Sequence, residues 1–261
     1  MSVRGLAYRL EGQEGDTPLV LVNSLGTDVH MWDPQMPVLA SARRVVRYDA
    51  RGHGRSAPGS GAHSIEGLGT DVLSVLDHLR LDRVHLCGES LGGMVALWLA
   101  ASRPERVDRL VLASTALRIG TPELWQARAD TVRSEGMAAV ADVVMERFFS
   151  PGFRERASEE VRRAKGTLLA TWPEDYAASC LALRDGDLTS MADRVRAPAL
   201  LLAGREDPAT PVAEAERLQR HLPGSRLVVL DGGHLLNLEQ PERFTDEVER
   251  FLNEIGEGAK G

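Results

Sequence analysis

Cysteine is nearly missing from this chain, with only Cys87 and Cys180 among 261 residues. Two thiols so far apart build no disulfide framework and match no zinc-ligand spacing. Cys87, in an apolar run, is expected as a small core residue. Long apolar stretches are missing as well, since none approaches the roughly 18 residues of a membrane span. Met1-Ser2-Val3-Arg4 lacks the charged-then-apolar opening of a secretion signal, so the reading is a cytoplasmic protein. There is no long basic run and the formal net charge is −7, which argues against nucleic acid or an anionic membrane as partner. What remains is a small-molecule partner, and an anionic one needs locally placed arginines. Nothing in the residue pattern sets an oligomeric state.

What is present is an alternation of short apolar runs with helical stretches, in a chain whose 43% hydrophobic content suits one large α/β domain. Leu6 to Gly12 alternates apolar and polar side chains, as a half-exposed edge strand does. Runs of strand length follow at Pro18 to Val22, Arg44 to Tyr48, Val84 to Cys87, Val107 to Ala113, Pro198 to Ala203 and Arg226 to Leu230. Most are continuously apolar, the pattern of parallel strands buried on both faces. Helices are expected around Trp32 to Ala40, over Ser64 to Leu79, over the almost wholly apolar Met94 to Ala101, and over Pro241 to Phe251, followed by a frayed Gly/Lys tail. From about Pro122 to Asp187 there are only helical patterns, such as Met137, Val140, Val144 and Phe148. The fold class expected is α/β, a mostly parallel, doubly wound sheet from residues 1–113 and 190–261. Residues 114–189 would form a helical cap over the carboxyl edge of the sheet, where sites of α/β proteins lie. Trp125 and Trp172 belong to that cap and Trp32 to an early loop; such aromatics could line a pocket, Trp125 being the substrate-binding candidate, although core packing is the expected role of any one taken singly.

Chemistry is expected at Gly88-Glu89-Ser90-Leu91-Gly92. Glycines two residues either side of the serine leave room for a strained turn from strand to helix that pushes the hydroxyl out of the sheet. A serine hydroxyl is a weak nucleophile until an imidazole takes its proton, and the imidazole needs a carboxylate to set its tautomer. His234, in the Asp231-Gly232-Gly233-His234 turn after one strand, supplies the imidazole. Asp207 follows another strand, and Glu206 and Asp231 compete with it as the orienting acid. His53, between two glycines near the start of the chain, is read as structural. In hydrolases with such an elbow, the residue after the nucleophile and the loop after an early strand supply the oxyanion-hole amides. Here these are the backbone N–H groups of Leu91 and of Leu25 in Asn23-Ser24-Leu25-Gly26-Thr27.

With these motifs in place, the chain resembles the α/β-hydrolase superfamily nearly end to end. That resemblance implies the α/β-hydrolase fold and the triad order Ser90, Asp207, His234. It favours Asp207, whose place after the Gly204 turn matches the family spacing, over Asp231, three residues before the histidine. More narrowly, the chain is similar to the 3-oxoadipate enol-lactonases of aromatic-compound degradation. This rests on Asn23 to Thr27 with Met31-Trp32-Asp33-Pro34-Gln35, on Arg47 to Gly54, on Ile119-Gly120-Thr121-Pro122 leading to Trp125 and Arg128, on Gly136-Met137, and on Tyr176 to Asp185. Glu89 departs from the uncharged residue expected beside the nucleophile in these lactonases.

The narrower resemblance implies a serine hydrolase that opens the ring of 3-oxoadipate enol-lactone, in the beta-ketoadipate pathway, through an acyl-enzyme. The substrate carries a free carboxylate, for which Arg128, one helical turn from Trp125, is the expected partner. No metal or organic cofactor is implied, because nucleophile, base and oxyanion donors already supply acyl transfer. Other readings of the same scaffold are a different ester, lactone or carbon–carbon bond hydrolase, or a small-molecule receptor. Ser90 argues against the aspartate-nucleophile epoxide hydrolases and dehalogenases.

Overall fold

The computed structural model describes residues 1–254 apart from Asp16 and Ser60; the expected frayed tail falls on 255–261, outside the described residues. Eight strands form one sheet in the order β1-β2-β4-β3-β5-β6-β7-β8. They are β1 (Ser2–Val3), β2 (Leu6–Glu11), β3 (Leu19–Val22), β4 (Val45–Tyr48), β5 (Val84–Glu89), β6 (Val107–Ala113), β7 (Ala199–Gly204) and β8 (Arg226–Leu230). From β4 to β8 every pairing is parallel, while β1 and β2 run antiparallel at one end. The expectation that Leu6 to Gly12 lies at the edge is corrected. β1 pairs outside it through Ser2 with Ala7 and Val3 with Leu6, a two-residue strand too short to show any alternation.

The helices alternate with the strands as the continuous apolar runs require. They are α1 (Met36–Ala42), α2 (Ile65–Leu79) and α3 (Leu91–Ser102), then α4 (Pro122–Glu135), α5 (Ala138–Phe148), α6 (Pro151–Arg156), α7 (Ser158–Leu169), α8 (Pro173–Asp185) and α9 (Thr189–Ala192), and finally α10 (Val212–His221), α11 (Leu236–Glu239) and α12 (Pro241–Leu252). Trp32 to Gln35, expected to share one helix with the start of α1, belong instead to a separate 3-10 turn over Val29–Gln35 that carries Pro34. In α3 every residue from Leu91 to Ala101 is buried, as an all-apolar helix must be. By contrast α12 turns Phe244, Val248, Phe251 and Leu252 inward and most of its charges outward, with Glu247 buried and paired with Arg250. Between β6 and β7 the chain is helical throughout: α4 packs on α8 and α5, and α7 on α5 and α6.

The loop after β8 is held by buried polar groups instead of by regular structure. The carbonyl of Phe148, at the end of α5, accepts the amides of both His234 and Leu235 at 3.0 Å. The Glu239 carboxylate accepts the Ser150 amide at 2.7 Å and the Gly233 amide at 3.0 Å through one oxygen, and the Ser150 hydroxyl at 2.7 Å through the other. From the opposite side, Glu89 Oε1 accepts the Leu236 amide at 2.9 Å. Glu89 is fully buried, and its second oxygen has no hydrogen-bond partner. An orphaned buried oxygen is tolerable on a neutral carboxyl and costly on a carboxylate. Burial pushes the Glu89 pKa well above the ordinary 4.5, with the charges of Asp207 and Glu239 adding to it. Below about pH 4.5 the folded and unfolded chains both hold this proton. As the pH rises, only the unfolded chain releases it, so the group costs stability progressively up to its folded pKa.

Glu89→Gln keeps the acceptor for Leu236 and removes the titration. The melting temperature of the variant minus that of the wild type is therefore expected to rise between about pH 5 and about pH 8, and a flat difference would show that Glu89 does not carry a raised pKa. Glu89→Ala leaves the Leu236 amide unpaired and opens a cavity, and should cost about 2–4 kcal/mol in urea unfolding at any pH in that range.

Candidate active site

Ser90 stands between β5 and α3 with φ of 59° and ψ of −119°, a strained conformation for a residue with a side chain. Its amide donates to the Ala113 carbonyl at 2.9 Å and its carbonyl accepts the Thr115 hydroxyl at 2.8 Å, so β6 and its following loop hold it there. The two flanking glycines are required by close approach. A Cβ on Gly88 would lie 2.2 Å from the Gly92 carbonyl oxygen, and one on Gly92 would lie 2.2 Å from the carbonyl oxygen of Val22. Contacts that short cannot be made, so the turn closes only with hydrogen at both positions.

The serine hydroxyl points at His234, with Oγ 2.8 Å from Nε2, and Nδ1 lies 2.8 Å from Asp207 Oδ2. The arrangement sets the tautomer: Nδ1–H donates to the carboxylate and Nε2 is free to accept the serine proton. Asp207 also accepts the amides of Ala209 at 2.7 Å and Thr210 at 3.0 Å on Oδ1, and the Thr210 hydroxyl at 2.6 Å on Oδ2. Burial raises the Asp207 pKa, but the charge and hydrogen bond of His234 and the bonds from Thr210 outweigh it and leave the carboxyl below its ordinary value. It is thus an anion opposite the imidazole. Of the competing acids, Glu206 is exposed, and Asp231 is 80% exposed and paired with Arg205 at 2.7 Å. The Phe148 ring stacks on the imidazole at 6.1 Å.

The Asn23 to Thr27 loop lies beside the serine, and Ser24, Leu25 and Ser90 line one pocket. The Leu25 amide has no hydrogen-bond partner among the described residues. Leu91 opens α3 at the position whose amide no helical carbonyl can reach. The helices between β6 and β7 contribute Trp125, Arg128, Arg147 and Tyr176 to the same lining. Arg128 stacks over Trp125 at 5.2 Å, so the structure brings the two sequence candidates together at the pocket. Of the other tryptophans, Trp32 is buried with its indole N–H on Asn23, and Trp172 is 55% exposed. Glu89 does not line the pocket.

Two site residues escaped the sequence reading. Arg147 falls seven residues after Val140 and three after Val144, on the apolar stripe of α5; a charge in such a stripe is the signal that marks it. Burial, then the nearby charge of Arg128, lowers its pKa. Among the described residues neither Arg128 nor Arg147 is paired with a carboxylate. Thr210 is the other, and its signal is the Asp-x-x-Thr turn that lets a carboxylate gather the amides and hydroxyl three residues on. Among the described residues no cluster of three or more His, Cys, Asp or Glu could hold a metal ion, and no helix is long and apolar enough to cross a membrane.

The family model described as alpha/beta hydrolase fold matches residues 17–241. The 3-oxoadipate enol-lactonase 2 of Acinetobacter baylyi is 40% identical over 247 residues, covering 95% of this chain and 92% of its own. The 3-oxoadipate enol-lactonase 1 of the same organism is 36% identical, covering 96% and 94%. The crystal structure of the enol-lactonase from Burkholderia xenovorans superposes with a TM-score of 0.94 at 40% identity, covering 95% of this chain and 96% of that one. The chain belongs to the alpha/beta hydrolase fold family.

Proposed function

We propose that this chain is a serine hydrolase that opens the ring of a carboxylate-bearing enol-lactone of the 3-oxoadipate kind. One observation carries the reading: the Ser90–His234–Asp207 hydrogen-bond chain ends in a pocket lined also by two arginines, Arg128 and Arg147, that have no carboxylate partner among the described residues. The near full-length similarity to proteins named 3-oxoadipate enol-lactonase supports it.

Ser90 Oγ attacks the lactone carbonyl while its proton passes to His234 Nε2, and Asp207 stabilises the imidazolium. The Leu25 and Leu91 amides hold the oxyanion. The ring C–O bond then breaks, the leaving enolate oxygen takes the proton from His234, and an acyl-enzyme remains. Although the leaving group stays tethered, its tautomerisation from enol to ketone removes the nucleophile that could re-close the ring. Water then gives a proton to His234 and attacks the acyl carbon, and the returning proton frees Ser90 and the acid. Residues 114–189 serve as the cap that excludes water and presents Arg128, Arg147 and Trp125 to the carboxylate. The enzyme would work in the cytoplasm on a small soluble substrate.

Loss of enol-lactone absorbance with the purified protein, beside a neutral aryl ester, tests the reading. Ser90→Ala should reduce kcat by at least about 10⁴-fold, and Asp207→Asn by about 10³–10⁴-fold, since each disables the same proton path. Ester hydrolysis without lactone turnover would keep the triad and discard the lactonase. Silence on both would favour a receptor or a different substrate.

Arg128→Ala should raise KM for the carboxylated lactone about 10–100-fold, the worth of a charged hydrogen bond, and leave KM for the neutral ester unchanged. Arg147→Ala should act in the same direction. Unchanged KM for the lactone in both variants would remove the arginines from substrate binding.

A further inference from the structure

His53 is buried, lies outside the pocket lining, and makes two hydrogen bonds that only one form of the ring can satisfy. Nε2 lies 3.1 Å from the Gly26 amide nitrogen, and Nδ1 lies 2.8 Å from the Arg51 carbonyl oxygen. An amide can only donate and a carbonyl can only accept, so the imidazole must be neutral, with its proton on Nδ1 and a bare lone pair on Nε2. Burial holds its pKa below the usual histidine value, and the charge of His63 lowers it further against the opposing pull of Arg51's carbonyl and of Asp175.

The bond to Gly26 matters because of what precedes it. The Ser24 carbonyl accepts both the amide of Thr27 at 3.3 Å and its hydroxyl at 2.7 Å. In a trans peptide the C=O and N–H point in opposite directions, so this anchoring turns the Leu25 N–H away from Thr27. The next peptide, between Leu25 and Gly26, is anchored by His53. Both peptides flanking Leu25 are therefore fixed while the Leu25 amide itself is left unpaired. Above the loop the inserted helices close in, since a Cβ on Gly26 would lie 2.5 Å from Leu168 Cδ1 and 3.2 Å from Tyr176 Cε2.

We propose that His53 is a positioning residue for the reaction: its neutral imidazole anchors the Gly26 amide and so holds the Leu25 N–H in its oxyanion-binding direction. The proposal rests on the reading of Leu25 as an oxyanion donor. His53 does not touch the substrate, and it differs from an ordinary core histidine in that its loss should weaken the transition state and spare ground-state binding.

The test compares His53→Gln, whose side-chain carbonyl can accept from Gly26, with His53→Leu, which cannot. Three readouts are taken on the full chain: kcat and KM for the lactone and for a neutral aryl ester, affinity for butylboronic acid, and affinity for adipate. The boronate adds Ser90 Oγ to boron, releases the serine proton and leaves a tetrahedral anion with a hydroxyl at the oxyanion position; adipate binds as a ground-state carboxylate. In His53→Leu, kcat should fall about 10–10³-fold on both substrates with KM within about threefold, and boronate affinity should fall at least about tenfold while adipate affinity holds. His53→Gln should recover most of each loss. If His53→Leu does not fold, His53→Asn, too short to reach Gly26 from the Nε2 position, carries the same expectation. A lowered melting temperature with kcat and boronate affinity intact would overturn the proposal, as would a glutamine variant no better than leucine. Failure of the lactone alone as a substrate leaves the ester and boronate arms to decide on His53. A wild type that binds boronate no better than Ser90→Ala would bring down the reading of Ser90 and its donors together with His53.

Discussion

The position of one imidazole constrains the rest of this molecule. His234 must bridge Ser90 and Asp207 at 2.8 Å on each side, yet the serine follows β5, the carboxylate follows β7 and the histidine follows β8. Parallel pairing brings the ends of these strands to one edge, but pairing alone positions loops only to within several ångströms. The remaining precision comes from buried hydrogen bonds: the Phe148 carbonyl on the His234 and Leu235 amides, Glu239 across Gly233 and Ser150, and Glu89 on Leu236. Buried polar groups with satisfied partners specify a single arrangement because any other leaves a donor or acceptor unpaired. Phe148 and Ser150 lie at and just after the end of α5, so the helices between β6 and β7 are part of the frame that holds the histidine and also contribute to the lining of the pocket.

Charge is distributed against the average of the chain. The molecule carries a formal net charge of −7, while Arg128 and Arg147 line one small pocket. Two adjacent cations withdrawn from water are costly without a counter-ion. Beside the imidazole the demand is for a negative charge. Asp207 meets it by gathering bonds from Ala209, Thr210 and His234. Glu89, next to Ser90 in the chain, accepts only the Leu236 amide, and burial pushes its pKa well above the ordinary value, which favours the neutral form of the carboxyl that looked out of place in the sequence.

Much of the architecture was legible because strand and helix patterns are local. The runs at β3 to β7, the all-apolar α3 and the helical stretch from Pro122 to Asp187 follow from burial on two faces, on all sides or on one stripe. β1 was invisible since two residues carry no period, and the break between the 3-10 turn at 29–35 and α1 was hidden by their shared apolar spacing. In the site, Ser90 was evident from its flanking glycines. Local pattern also supplied His234 and Asp207 as turn residues, but the choice of Asp207 over Glu206 and Asp231 came through family resemblance. The structure supplies its own reason, since Asp207 alone of the three is both buried and within reach of Nδ1.

The amino-acid sequence by itself thus determined the strand-turn-helix at Ser90, the alternation that makes a parallel sheet, and the turn positions of His234 and of the acids that compete to orient it. Each of these depends on neighbours within a few positions of the chain, where spacing alone dictates geometry. Only the tertiary structure decided that Arg147 joins Arg128 at the pocket, that Thr210 braces Asp207, and that His53 meets the Gly26 amide. Those pairings depend on tautomer, burial and approach between segments far apart in the chain. They arise when packing brings the segments together and forces each buried polar atom to find a partner.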